Sequence, residues 1–150
     1  MLRGSRRFLL VVVPMFAVAI GLVVAYLVLR PTIRRNAAIL VESKLRLAAS
    51  VVEEVRGAEG GLAAATVERL NEVGPEDMEF LDADEASDEP LVVSVALTED
   101  AWNGAAKADS GACYFVRLTA EGDTLRGTIP GSECTGAVAS TAEATGWPEL

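Results

Sequence analysis

From position 8 to position 29 the chain runs through twenty-two residues without a charge, bounded by Arg7 and Arg30. As a helix rising about 1.5 Å per residue, the run would measure about 33 Å, enough to cross a hydrocarbon core of roughly 30 Å with some tilt. Pro14 and Gly21 are compatible with this, because membrane helices tolerate both. A cleaved signal peptide is the competing assignment. Its apolar core is usually about 7–15 residues long and ends at a small-x-small site, and no such site precedes Arg30. The pattern therefore predicts a short basic tail at 1–7, an uncleaved transmembrane helix at 8–29 and a mature chain that begins at or near Met1.

Beyond Pro31 the spacing of apolar residues changes. Ala37, Val41, Leu45, Ala48, Val52 and Val55 recur every three or four positions and form one stripe, with Arg35, Glu42, Arg46, Glu53 and Glu54 opposite. This predicts an amphipathic helix over 30–56 that continues the anchor and stops at Gly57 or at the Gly60-Gly61 pair. Its apolar face would lie against an outer domain. A free stalk, or a coiled-coil segment pairing two copies, are the alternatives.

Residues 57–150 form that domain. A short helix is expected over 62–73, ending at Gly74-Pro75. Between 76 and 89 stand eight acidic residues and no basic one, around Met78, Phe80 and Leu81. A calcium loop of the EF-hand kind needs a turn glycine, and this stretch has none, so a solvated acidic loop is expected with no metal. Strand-like runs follow at 91–97, 101–108 and 112–118, separated by Thr98-Glu99-Asp100 and Asp109-Ser110-Gly111, with a fourth at 124–129. They predict an antiparallel meander, one face covering the helical stripe. Trp102, Tyr114 and Phe115 read as packing residues, and the Gly-, Thr- and Ala-rich remainder reads as loop. The expected fold class is α+β: a membrane-anchored helical spine on a small antiparallel sheet.

Charge divides unevenly along this plan. Residues 1–56 carry a net +6 and residues 57–150 a net −15, which together make the −9 of the whole chain. A strongly acidic outer domain excludes a nucleic-acid partner, whose phosphates demand a basic surface. Arg3, Arg6 and Arg7 before the apolar run balance Arg30, Arg34 and Arg35 after it, so the positive-inside rule leaves orientation open. The short tail has no domain to carry across, and both cysteines, Cys113 and Cys134, lie on the far side. With no histidine in the chain they are too few for a zinc site. As a disulfide they fit an oxidising, extracytoplasmic compartment, where closing such a loop contributes about 3 kcal/mol; two unpaired buried thiols are the alternative. The expected placement is a cell membrane, with the N-terminus cytoplasmic and the C-terminal domain outside.

In this order of features the chain resembles the type IV pilin and pseudopilin family. Leu45-Arg46-Leu47-Ala48-Ala49-Ser50-Val51-Val52-Glu53-Glu54 looks like the first-helix segment of Gram-positive and actinobacterial pilins. Val93-Ser94-Val95, Trp102 with Ala105-Ala106-Lys107, the stretch from Ser110 to Val116, Cys134-Thr135-Gly136 and Gly146-Trp147 are similar to the strands and disulfide loop of those pilins. The resemblance spans most of 45–147. It implies a minor or accessory component of a pilus or secretion system, with other pilin-like subunits or assembly proteins as partners. The chain departs from the family at the assembly chemistry. Gly4 is followed by Ser5-Arg6-Arg7 in place of a processing site, and no Glu occurs between positions 8 and 29 to register one subunit on the next. A membrane-tethered binding or sensor module with the same fold is therefore the second reading.

Catalysis has no foothold in the sequence: there is no histidine, no GxSxG, and no P-loop or Rossmann glycine pattern. A non-enzymatic protein without a cofactor is expected.

Overall fold

A computed structural model describes residues 4–131 and 133–147, with side chains described from residue 18 onward. Contacts divide the chain into two units that meet between Arg35 and Asn36. One long helix, α1 (Gly4–Glu59), runs through both.

In the first unit, the side chains of α1 from Val18 to Leu29 are exposed, Val18 by 62% and Leu29 by 56%. The Arg30 guanidinium lies 5.9 Å from the centre of the Tyr26 ring. Among the described residues no helix is long and apolar enough to cross a membrane. The first part of the apolar run, 8–17, lies outside the described side chains, as does the basic tail at 1–7.

In the second unit, all six positions of the stripe read from the sequence are buried: Ala37, Val41, Leu45, Ala48, Val52 and Val55. They face a five-stranded sheet with the order β1 (Glu79–Leu81), β2 (Val92–Leu97), β3 (Ala101–Lys107), β4 (Cys113–Thr119), β5 (Thr124–Ile129). Phe80, Val93, Val95, Trp102, Ala106, Tyr114, Val116 and Leu118 share that core with the helix. The helix runs three residues past the predicted 56 and ends where Gly60 turns to φ +85°, a backbone state that glycine adopts without Cβ strain. Arg56 in its last turn then donates to the carbonyl of Ala120 at 2.7 Å and ties the helix end to the β4–β5 turn.

The sheet departs from the expected meander in one place. β2 through β5 are antiparallel neighbours as predicted, but β1 pairs parallel to β2, with Phe80 opposite Val93. This strand sits within the stretch read as a solvated acidic loop. The predicted helix over 62–73 is broken as well: a 3-10 turn at Leu62–Ala64 precedes α2 (Val67–Val73), whose N-cap Thr66 accepts from the Arg69 amide. The side-chain amide of Asn71 on α2 donates to the Phe80 carbonyl at 2.8 Å and accepts from the Phe80 amide at 2.9 Å. That one side chain does for β1 what a sixth strand would do, so the acidic flanks of Phe80 did not prevent a strand.

The other face of the sheet is covered too. A short helix, α3 (Gly136–Thr141), lies in the tail read as loop and packs Ala139 with Ala105, Phe115, Ile129 and the cysteine pair. Its start approaches β2 so closely that a Cβ on Gly136 would come within 2.5 Å of the Ala96 nitrogen. With helices on both faces, β4 buries Cys113, Tyr114, Phe115 and Val116 in succession, and no polar-apolar alternation remains to be read.

Candidate functional site

Cys113 opens β4, and Cys134 lies in the segment before α3. The two are joined in a disulfide with Cα atoms 5.4 Å apart, and each is at most 2% exposed. The bridge is the centre of a stitched patch. The Cys134 carbonyl accepts from the Ser87 amide at 2.8 Å, and the Ala83 carbonyl accepts from the Ala137 amide at 3.0 Å. The fully buried Ser87 hydroxyl donates to the Val92 carbonyl at 2.6 Å and accepts from the Lys107 amide at 2.9 Å. Likewise Ser94 donates to the Asp82 carbonyl and accepts from the Gly136 amide. The acidic stretch is thus fastened by its backbone and its serines, while Asp82, Asp84, Glu85, Asp88 and Glu89 stay exposed. Among the described residues no three carboxylates or cysteines converge as a metal would require.

Below the bridge, Arg117 carries an unusual load for a residue inside an apolar strand. Its Nε donates to the Asn103 side-chain oxygen at 2.7 Å, and its Nη2 donates to the carbonyls of Ala139 at 2.6 Å and Ser140 at 2.8 Å, with Ala142 at 3.2 Å. These carbonyls lie at the C-terminal end of α3, where the Ala139 carbonyl also accepts from the Ala142 amide at 3.3 Å. A cation there also meets the negative end of the helix dipole. The buried Asn103 completes the chain by donating to the Ala96 carbonyl.

After α3, the chain returns across the β5 edge. The Gly146 amide donates to the Arg126 carbonyl at 2.9 Å, and the Trp147 indole N–H donates to the Phe115 carbonyl at 3.2 Å. Guanidinium groups from Arg46 on α1 and Arg126 on β5 each lie 5.0 Å from the Trp147 ring centre. Nearby, one carboxylate oxygen of Glu42 is buried without a hydrogen-bond partner among the described residues. Burial raises the Glu42 pKa above its ordinary value, and the charges of Arg46 and Arg126 offset only part of this. The Tyr114 hydroxyl is also pushed up, by its own burial first and the Glu42 charge second.

The outer face of α1 in this unit is different in kind. Ile39, Leu40 and Leu47 are exposed there. Ser43 and Ser50, on the same face, turn their hydroxyls back onto the carbonyls of Leu40 and Leu47, each at 2.7 Å.

Of the residues singled out in the sequence, Cys113 and Cys134 are brought together, and Trp102, Tyr114 and Phe115 are packed in the two cores. Arg117 and Asn71 were missed. An arginine amid Tyr, Phe, Val and Leu was the one available signal for the first; an exposed asparagine carries none for the second. The chain matches no protein-family model, and no curated protein sequence and no solved structure is significantly similar to it.

Proposed function

We propose that this chain is a pilin-like, single-pass membrane protein, a minor or accessory component of a type IV pilus or related secretion system. The uncharged run at 8–29 would anchor it, with its N-terminus cytoplasmic and its acidic, disulfide-closed domain outside. The observation that carries the assembly role is the outer face of α1. A helix that offers Ile39, Leu40 and Leu47 to its surroundings, with the intervening hydroxyls satisfied internally, suits side-by-side packing against another helix and makes no polar demand on it. A stalk serving only as a tether has no need of such a face. The role is one of assembly, with no reacting group or cofactor assigned.

A photo-crosslinking residue placed at Leu47, in the full chain expressed in its own host, is the test. The expected product is an adduct with another pilin-like subunit or with an assembly protein of the inner membrane. A host with no pilus-assembly ATPase or platform protein, together with monomer alone after irradiation, would overturn the reading. That outcome favours the second one, a membrane-tethered binding or sensor module, for which the missing Glu within 8–29 already speaks.

A further inference from the structure

The two edges of the sheet are treated differently. At β1 the Asn71 amide occupies both the N–H and the C=O of Phe80 and closes the edge. At β5 the outward-facing backbone groups fall on Thr124, Arg126 and Thr128, because the Arg126 carbonyl bonds away from β4 and the pattern repeats every second residue. Among the described residues, that carbonyl is met by one amide, from Gly146. Residues 142–147 have no regular structure, and all but Ala142 and Trp147 are exposed. Gly146 itself turns at φ +78°. A recess of about 500 Å³, lined by Thr128, Ile129, Val138 and Ala142 among others, opens between β5 and α3 beneath the start of this segment.

We propose that residues 143–147 form a releasable strap over the β5 edge, hinged at Ala142, whose carbonyl Arg117 holds, and pegged by the Trp147 indole between Arg46 and Arg126. The fastening is concentrated at its far end: two hydrogen bonds and one aromatic ring held by two cations. Glu143 to Gly146 are exposed, whereas Ala142 packs at the margin of the second core and the Trp147 ring against the first, so the strap opens from Glu143 onward at the cost of the ring's contact. Once lifted, it leaves the Arg126 carbonyl beside the outward groups of Thr124 and Thr128 as an uncovered strand edge. The device is independent of whether the chain enters a filament.

Hydrogen exchange on the full chain in detergent tests it. In the unaltered protein the Gly146 amide is expected to exchange at least about a hundredfold faster than the β4 amides, since it opens locally and they open with the fold. Trp147→Ala should accelerate Gly146 roughly tenfold more while leaving β4 unchanged, and Arg46→Ala, which removes one wall and keeps the indole, should do the same to a smaller extent. Equal protection of Gly146 and β4 in the unaltered protein would overturn the proposal. So would a uniform loss of protection across β4 and β5 in both variants, which would make Trp147 part of the core.

Discussion

Glu42 stands on the polar side of a helix whose other side is buried, yet one of its oxygens is shut away from water with no donor to meet it among the described residues. Arg46 is four residues on, the favourable spacing for an ion pair on a helix, and Arg126 faces it from β5. Their attraction is outweighed by the cost of removing the carboxylate from water, and the folded-state pKa is raised. The sign follows from linkage. A raised pKa means that stability tied to the neutral form is fully present below the unfolded value of 4.5 and is lost as pH rises through the folded value. At neutral pH the protein therefore carries the cost. Glu42→Gln should raise Tm near pH 7 by about one to three degrees, a few tenths of a kcal/mol for a half-exposed group, and the gain should vanish near pH 4. Thermal unfolding of both proteins across that range is the check. A lower Tm for the variant at neutral pH would mean that the two arginines win.

At the scale of elements, what the sequence disclosed and what it hid follow one rule: a pattern is legible where a segment buries one face. The α1 stripe has one buried and one wet side, and its six positions were readable. β4 is covered on both sides and shows no alternation, so its neighbours and aromatics betrayed it more than its period did. β1 has three residues, one of them buried, among carboxylates, and it exists because Asn71 stands in for a neighbouring strand. α3 has six residues, with no periodic stripe and a glycine at its start, and it depends on a cation from another element. The disulfide was legible from the cysteine count; the segments stitched to it were not, because they are held by backbone and serine hydrogen bonds. From this comes a prediction for α3. Arg117→Leu removes the donor from three carbonyls and from Asn103 and should cost roughly 2–4 kcal/mol. Arg117→Lys should recover only a part, since one ammonium cannot span the side chain of Asn103 and the end of the helix at once. Urea unfolding measures the first, and amide exchange in α3 shows where the loss falls. A lysine variant as stable as the original would show that charge alone, without the planar fork, holds the helix.

For the molecule as a whole, the disulfide decides how the last third of the second unit is kept. β4 is secured without it, between β3 and β5 and against α1. The described residues between Pro130 and Thr135 lie in no helix or strand, and the sequence there offers no large apolar side chain, so the stretch cannot readily offset an ordering cost of about 1–2 kcal/mol per residue. Cross-linking Cys134 to the start of β4 restricts the unfolded chain instead. It also brings the Cys134 carbonyl to the Ser87 amide and Ala137 to Ala83, so the acidic stretch borrows its order from the same bond. Cys113→Ser should therefore destabilise the second unit by about 2–4 kcal/mol. Loss of amide protection should be concentrated at Ser87 and α3, with β2 to β4 last to go. The first unit has its own contacts and no share in the bridge, so the helical signal of residues 18–35 should be unchanged. Thiol labelling of the purified, non-reduced chain comes first: two cysteines that react freely in denaturant without reductant would mean that the bridge is not formed. Such a result would remove the main argument for an oxidising compartment around this domain.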